Sequence, residues 1–179
     1  MQFEVTWAMP NKATFSIPPI KKFIDKWIPD KDVVIVDPFR GESDIGNLTN
    51  DIRETRIDSL VWLKSIPAGI ADVVLFDPPY TPRQLKECYN SLGLSLHDTT
   101  AGYWAKLRDE VVRISHKGTI VLSFGYGASH IGTKRGYDIE EGLIVLQAEK
   151  QGEFDIVDGL MILHGSLHNA TICMAEVKR

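Results

Sequence analysis

Cysteine is scarce: among 179 residues only Cys88 and Cys173 carry thiols, far apart and with no partnering pattern. A disulfide scaffold is excluded, and the two read as free thiols in a reducing cytoplasm. No stretch approaches the roughly 18 consecutive apolar residues of a membrane span, and no charged-then-apolar leader opens the chain, so neither membrane insertion nor secretion is expected. Basic charge is also short, with 20 Lys and Arg against 24 Asp and Glu, a net charge of -4. A nucleic-acid surface would have to be local, at Lys21-Lys22, Lys134-Arg135 or Lys178-Arg179, and each of these is also an ordinary solvated pair. Internal repeats and low-complexity tracts are missing. What is present, 44% hydrophobic residues, suffices for one sizeable core, and the expectation is a single domain over residues 1–179 with no separate target-recognition domain.

Hydrophobic spacing predicts an α/β protein. Ile20, Phe23, Ile24, Trp27 and Ile28 recur at helical spacing, which predicts a helix over residues 18–28 with Ser16 as N-cap and Pro29-Asp30 as stop. Residues 33–36 are a short apolar run that fits a buried parallel strand. A weaker strand is predicted over 48–52, a helix over 59–66, a strand over 72–76 and a helix over 82–90. A longer helix carries Trp104, Leu107, Val111 and Ile114 and is stopped by Lys117-Gly118. Strands over 119–124, 139–146, 156–163 and 171–177 follow, the last three without a helix between them.

The most informative string is Asp77-Pro78-Pro79-Tyr80, placed directly after Val73-Val74-Leu75-Phe76. A Pro-Pro pair alone carries little weight, since Pro18-Pro19 is a second. The whole string reads as a buried strand that ends in a carboxylate, a stiff turn and an aromatic ring, with Thr81-Pro82 opening a helix. An exocyclic amino nitrogen on a flat base is a poor nucleophile because its lone pair is delocalised into the ring. Acceptors that hold its protons favour the tetrahedral, reactive shape, and the Asp77 carboxylate and the Pro78 carbonyl supply two of them. Proline keeps that turn rigid, and Tyr80 can stack on the base.

This string resembles the catalytic motif of S-adenosylmethionine-dependent DNA methyltransferases that modify amino groups, especially the adenine N6 enzymes. Phe15-Ser16-Ile17-Pro18-Pro19-Ile20 resembles the segment before the cofactor strand, and Val36-Asp37-Pro38-Phe39-Arg40-Gly41 the cofactor loop. Residues 7–64, the block with Arg83-Gln84-Leu85 and the ending His168-Asn169-Ala170-Thr171-Ile172-Cys173 are similar to small phage-encoded adenine methyltransferases. The resemblance implies a Rossmann-like methyltransferase fold, a mostly parallel twisted sheet flanked by helices with an antiparallel C-terminal hairpin. It implies catalysis by Asp77, Pro78, Pro79 and Tyr80, and S-adenosylmethionine held by Phe15, Ser16, Asp37, Pro38, Phe39, Gly41, Asp51, Asp58 and Asp77. Asp37 would line the methionine end, Asp51 the ribose and Asp58 the adenine amino group. Taken singly, each of these acids is also a natural helix cap or turn residue. The implied setting is the cytoplasm of a bacterium or a phage-infected host, and the implied partner is DNA, with unpaired or mismatched adenine accepted.

Two departures qualify the resemblance. The cofactor loop of the family carries a second glycine where this chain has Ser43, and a Cβ makes a positive φ costly. A chain of this length also leaves little room for target recognition. Residues 87–101 and 146–169 are the remaining candidates, or a second copy or a partner supplies it. His164 and His168, four apart but without the acid of a zinc helix, are read as turn or substrate-side residues and no metal site is expected. Gly125-Tyr126-Gly127 lacks dinucleotide spacing and is read as letting Tyr126 flank a substrate pocket; Trp7 and Trp104 are read as core residues. The leading reading is adenine N6 methylation of DNA. Its alternatives are the same chemistry on cytosine N4, an RNA base or a protein amide, and a degenerate cofactor-fold protein that only binds.

Overall fold

The computed structural model describes residues 2–11, 13–29, 32–95, 101–126, 130–147, 154–157, 160–163 and 169–179. In chain order the elements are β1 (Gln2–Ala8), a 3₁₀ turn (Thr14–Ser16), α1 (Pro18–Trp27), β2 (Ile35–Asp37), β3 (Leu48–Thr49), α2 (Ile52–Thr55), α3 (Ser59–Ser65), β4 (Ala71–Phe76), α4 (Pro82–Ser91), α5 (Ala101–Ile114), β5 (Ser115–Gly125), a second 3₁₀ turn (Thr133–Arg135), β6 (Tyr137–Gln147), β7 (Phe154–Val157), β8 (Leu160–Leu163) and β9 (Asn169–Lys178). Seven strands form one sheet in the order β1-β6-β9-β5-β4-β2-β3, and β7 and β8 form a separate hairpin. All neighbours in the large sheet are parallel except β9, which runs antiparallel to both β5 and β6.

Strand β4 explains the architecture. Val73, Val74, Leu75 and Phe76 are all at 0% exposure, which requires cover on both faces. Val73 and Leu75 pack with Ile20, Phe23 and Ile24 of α1, while Val74 and Phe76 pack with Leu63 of α3, Leu85 of α4 and Leu107 of α5. Each such side chain contributes about 1.5–3 kcal/mol when fully buried. The apolar run needs no alternation because helices lie on either side. The carboxyl ends of β2, β3, β4 and β5 therefore open on one edge, where ligands bind in sheets of this kind.

Several elements differ from expectation for local reasons. Strand β1 lies outside the predicted set, although Phe3, Val5 and Trp7 alternate with Glu4, Thr6 and Ala8 as a strand requires. It adds in parallel outside β6, so the antiparallel pair is internal to the sheet. Helix α1 starts at Pro18 with Ile17 at the cap position; Ser16 instead turns its hydroxyl onto Ala13 O, at 2.8 Å. The strand predicted over 48–52 stops at Thr49 because Asp51 caps α2 through Arg53 N. Helix α5 ends at Ile114 and passes straight into β5; Lys117-Gly118 does not stop it, and Gly118, at φ 89°, lies where the pairing register of β5 slips. The tail segment 156–163 is two strands. Among the described residues, no helix is long and apolar enough to cross a membrane.

Asp58 ties the helical layer together. Its Oδ1 accepts from Leu60 N at 2.9 Å and Val61 N at 3.1 Å, capping α3. Its Oδ2 accepts from the hydroxyls of Tyr89 on α4 and Tyr103 on α5, the latter at 2.7 Å. Burial, with Asp58 alongside, raises both phenols, so they remain protonated donors. Asp58→Ala removes a cap and two bonds to a charged acceptor, and is expected to lower unfolding free energy by about 2–4 kcal/mol. A urea melt checks this: the midpoint should fall at constant slope, with Asn recovering part of the loss.

Candidate active site

The turn after β4 is braced from three sides. Thr81 and Gln84 form a capping box on α4, Thr81 Oγ1 accepting from Gln84 N while Gln84 Oε1 accepts from Thr81 N at 3.2 Å and Tyr80 N at 3.0 Å. Trp104 Nε1 donates to Pro79 O at 3.1 Å, so this tryptophan is more than core filling. Pro78 is buried. Within this frame the hydroxyls of Tyr80 and Thr14 lie beside the Asp77 carboxylate and favour its charged form against burial, while Asp77 Oδ1 is buried with no partner among the described residues. Tyr80 also meets Tyr126, ring centroids 4.6 Å apart and edge to face. Glu176 of β9 accepts from Ile131 N and Gly132 N, both at 2.8 Å.

Three cavities meet at this turn. The first, about 390 Å³, is lined by Pro38, Phe39, Gly41, Asp51, Cys88 and the whole Asp77–Tyr80 string, with Arg53, Ser59 and Gln84. The second, about 400 Å³, lies between Thr14, Phe15 and Ser16 and the loop 39–45. Thr14, Phe39, Gly41 and Asp77 belong to both. The third, about 430 Å³, is lined by Pro10, Asn11, Tyr126, Gln147 and Thr171 and shares Thr14, Tyr80 and Gln84 with the first. Tyr80 thus stands between the first and third.

The loop after β2 is shaped by two glycines. Gly41 takes the left-handed φ of 57°, whereas Ser43 does not: the only described non-glycine residue with positive φ is Arg56. The missing second glycine therefore imposes no strain. Gly46 provides closeness instead, since a Cβ there would lie 2.8 Å from Asp37 Cβ and 3.0 Å from Thr49 Cγ2.

Asp37 is at 0% exposure at the end of β2 and lies behind the cavity wall. One oxygen accepts from Phe39 N at 3.0 Å; Oδ2 has no partner among the described residues. Burial above all, with the charge of Asp77 adding, pushes its pKa up to about 7 against the opposing Phe39 amide. Burial likewise pushes Asp77 up to about 6. The charge of Asp77 disfavours ionisation of Asp37, so the two carboxylates titrate as a pair. Asp51 is different: burial raises it, but a fork of bonds from Arg53, Nη2 at 2.6 Å, more than compensates and holds it below the ordinary carboxylate value.

Of the residues proposed from sequence, Phe15, Ser16, Pro38, Phe39, Gly41, Asp51, Asp77, Pro78, Pro79 and Tyr80 come together as cavity walls. Asp58 lines none of the three cavities, and its oxygens serve the α3 cap and the tyrosines. Thr14, Gln84, Arg53, Gly46 and Trp104 were not singled out for the site. Only Gln84 had a sequence signal, the Thr-x-x-Gln capping box. His164, His168 and residues 96–100 lie outside the described residues, as does Gly127. Among those described, no group of three His, Cys, Asp or Glu side chains is placed to hold a metal.

The two raised carboxylates set a stability signature. Their folded pKa values lie above the ordinary 3.8, so the folded chain binds more protons than the unfolded chain between about pH 4 and 7. The contribution of this pair to stability falls as pH rises through that window. Asp37→Asn keeps the acceptor for Phe39 N and removes the buried charge. It should raise the melting midpoint of the ligand-free protein at pH 8, by thermal denaturation, and shrink that gain at pH 5.

A solved structure with this architecture is TrmN, a tRNA methyltransferase, from Thermus thermophilus. It matches 91% of this chain with a TM-score of 0.51 and 14% identity, and the chain spans 49% of that protein, about half its length. No protein-family model and no curated protein matches the chain. At that identity the likeness concerns the fold alone.

Proposed function

We propose that this chain transfers a methyl group from S-adenosylmethionine to the N6 amino group of adenine in DNA. The observation that carries the reading is Asp77, whose Oδ1 lies buried and unpaired at the junction of the cavities. Such an acceptor calls for a donor from a ligand. The ligand-free walls suit the cofactor: Asp51 is an acceptor for ribose hydroxyls, Phe39 and Pro38 give apolar faces, and Asp37 and Asp77 match positive charge. When bound, the cofactor supplies a methyl carbon on a sulfonium leaving group.

The chain's own part is to hold and deprotonate the amine. Asp77, oriented by Thr14 and Tyr80, accepts an amino proton and localises the nitrogen lone pair. That lone pair would be the nucleophile toward the methyl carbon that a bound cofactor supplies on its sulfonium leaving group. The surplus proton leaves the nitrogen for the carboxylate, which burial has already made more basic than an ordinary aspartate. The third cavity suits the target base, with Tyr80 and Tyr126 as aromatic walls and the amides of Asn11 and Gln147 for its polar edge. The RNA alternative draws on the tRNA methyltransferase fold neighbour.

Radiolabelled transfer from S-adenosylmethionine to duplex DNA, single-stranded DNA and RNA, with the modified nucleoside identified, tests the proposal. N6-methyladenine in DNA is expected; a product only in RNA would replace the substrate class. Asp77→Asn should lower kcat by about 10²–10³-fold, and full activity in that variant would remove the reading.

Basic side chains bear on affinity. Lys21 pairs with Asp25 at 3.0 Å, Arg135 with Asp109 at 2.8 Å and Arg179 with Asp138, while Lys178 donates to Val112 O and Ser115 O. Of the three basic pairs, only Lys22 and Lys134 have no such tie among the described residues. Binding to non-target duplex should therefore be weak with a shallow salt slope, and an adenine in a mismatch or single strand should react at least as fast as a paired one. A slope indicating about eight or more phosphate contacts would contradict this.

A further inference from the structure

We propose that Asp77, backed by Asp37, is a charge filter that holds the positively charged methyl donor and expels the neutral thioether left after transfer. The inference rests on the cofactor reading above and adds how the site empties. Its basis is two carboxylates at the ends of neighbouring parallel strands, each with one buried oxygen that no described residue satisfies. Asp37 is at 0% exposure, and Asp77 lines the first two cavities. A buried, unpaired carboxylate favours a cation strongly, because water screens the pair little.

The surroundings do not cancel that charge. Facing Asp77 are the neutral hydroxyls of Thr14 from the first 3₁₀ turn and Tyr80, and the thiol of Cys173 from β9, which burial raises. Facing Asp37 are Arg40 from its own loop and Asp51 from the β3–α2 junction. Arg40 is bonded to Glu54, and Arg53 to Asp51. Of the remaining charged walls, Lys21 of α1 is paired with Asp25, and Glu42 and Asp44 add negative charge. The local balance is anionic.

Position follows from the chemistry. The methyl carbon must lie about 3–3.5 Å from the attacking nitrogen, and that nitrogen is hydrogen-bonded to Asp77. The sulfur is one bond further, within reach of the carboxylate's field. Transfer erases the sulfur charge while the amino-acid and ribose contacts stay the same. Only the attraction to Asp77 and Asp37 changes, so donor and product should differ in affinity through these two residues.

Isothermal titration calorimetry on the full chain decides it, with S-adenosylmethionine, S-adenosylhomocysteine and sinefungin, whose amine replaces the sulfonium with an unreactive cation. At pH 8 both cations should bind at least tenfold tighter than S-adenosylhomocysteine. Asp77→Asn should shrink that preference several-fold by weakening the cations alone, and Asp77→Asn combined with Asp37→Asn should bring the three within about twofold. In the unaltered protein the preference should narrow at pH 5.5, where both carboxylates take protons, and this arm needs no variant. At pH 6.5, binding of a cation should release protons, read from the dependence of heat on buffer. S-adenosylhomocysteine binding as tightly as the donor, or a preference that survives both Asp77→Asn and pH 5.5, would overturn the filter. Failure of all three ligands to bind would remove the cofactor reading, and the filter with it.

Discussion

Two unpaired carboxylates, Asp37 and Asp77, are the constraint around which the rest of the site is arranged. Pairing of Ile35 with Val73 and Val36 with Val74 brings the ends of β2 and β4 side by side, so two like charges meet in a dry place. Such an arrangement is unfavourable by itself, and it persists because the neighbouring structure leaves it no way to relax. Apolar packing on both faces of β4 fixes the strand, and the bracing by Gln84 and Trp104 fixes the turn. Gly46 lets the loop close on Asp37 so tightly that any Cβ would intrude. The cores thus stabilise a polar arrangement that a ligand can complete.

Much of this was legible before the structure. The Asp77–Tyr80 turn was readable because a four-residue apolar run with no alternation must be buried on both faces, and its end must then be a sheet edge. Asp37 and Asp51 were readable for the same reason, as acids that end or follow strands. Asp58 shows where that reasoning stops. An acid before a helix serves equally as cap and as ligand-binding group, and the deciding partners, Tyr89 and Tyr103, lie 31 and 45 positions away. Thr14 was hidden likewise, since nothing local marks a threonine that reaches a residue so distant in sequence. Ser43 was misjudged by counting glycines; the left-handed turn needs one, and Gly41 supplies it.

Strand β1 and the tail illustrate the opposite failure, a signal present but outweighed. The alternation of Phe3, Val5 and Trp7 is short, and only the sheet edge offered by β6 gives it a partner. In the tail, residues 156–163 read as one strand, whereas the structure has two, Phe154–Val157 and Leu160–Leu163, paired with each other. Burial and pairing that depend on distant strands are the terms a linear reading lacks.

The distribution of charge links these observations. Net charge is -4, but what matters is where charges are spent. Most of the described cations flanking the sheet are tied to surface carboxylates or carbonyls, while Asp37 and Asp77 have no ion pair among the described residues. A surface so arranged exerts little pull on a phosphate backbone and a strong pull on a small cation. Under the proposed function, the cofactor would be drawn by charge, whereas the nucleic acid would be held chiefly by one base in an aromatic cavity beside Tyr80. That division separates the two binding events physically: ionic strength should act mainly on one and base stacking on the other, although both ligands meet at a single aspartate.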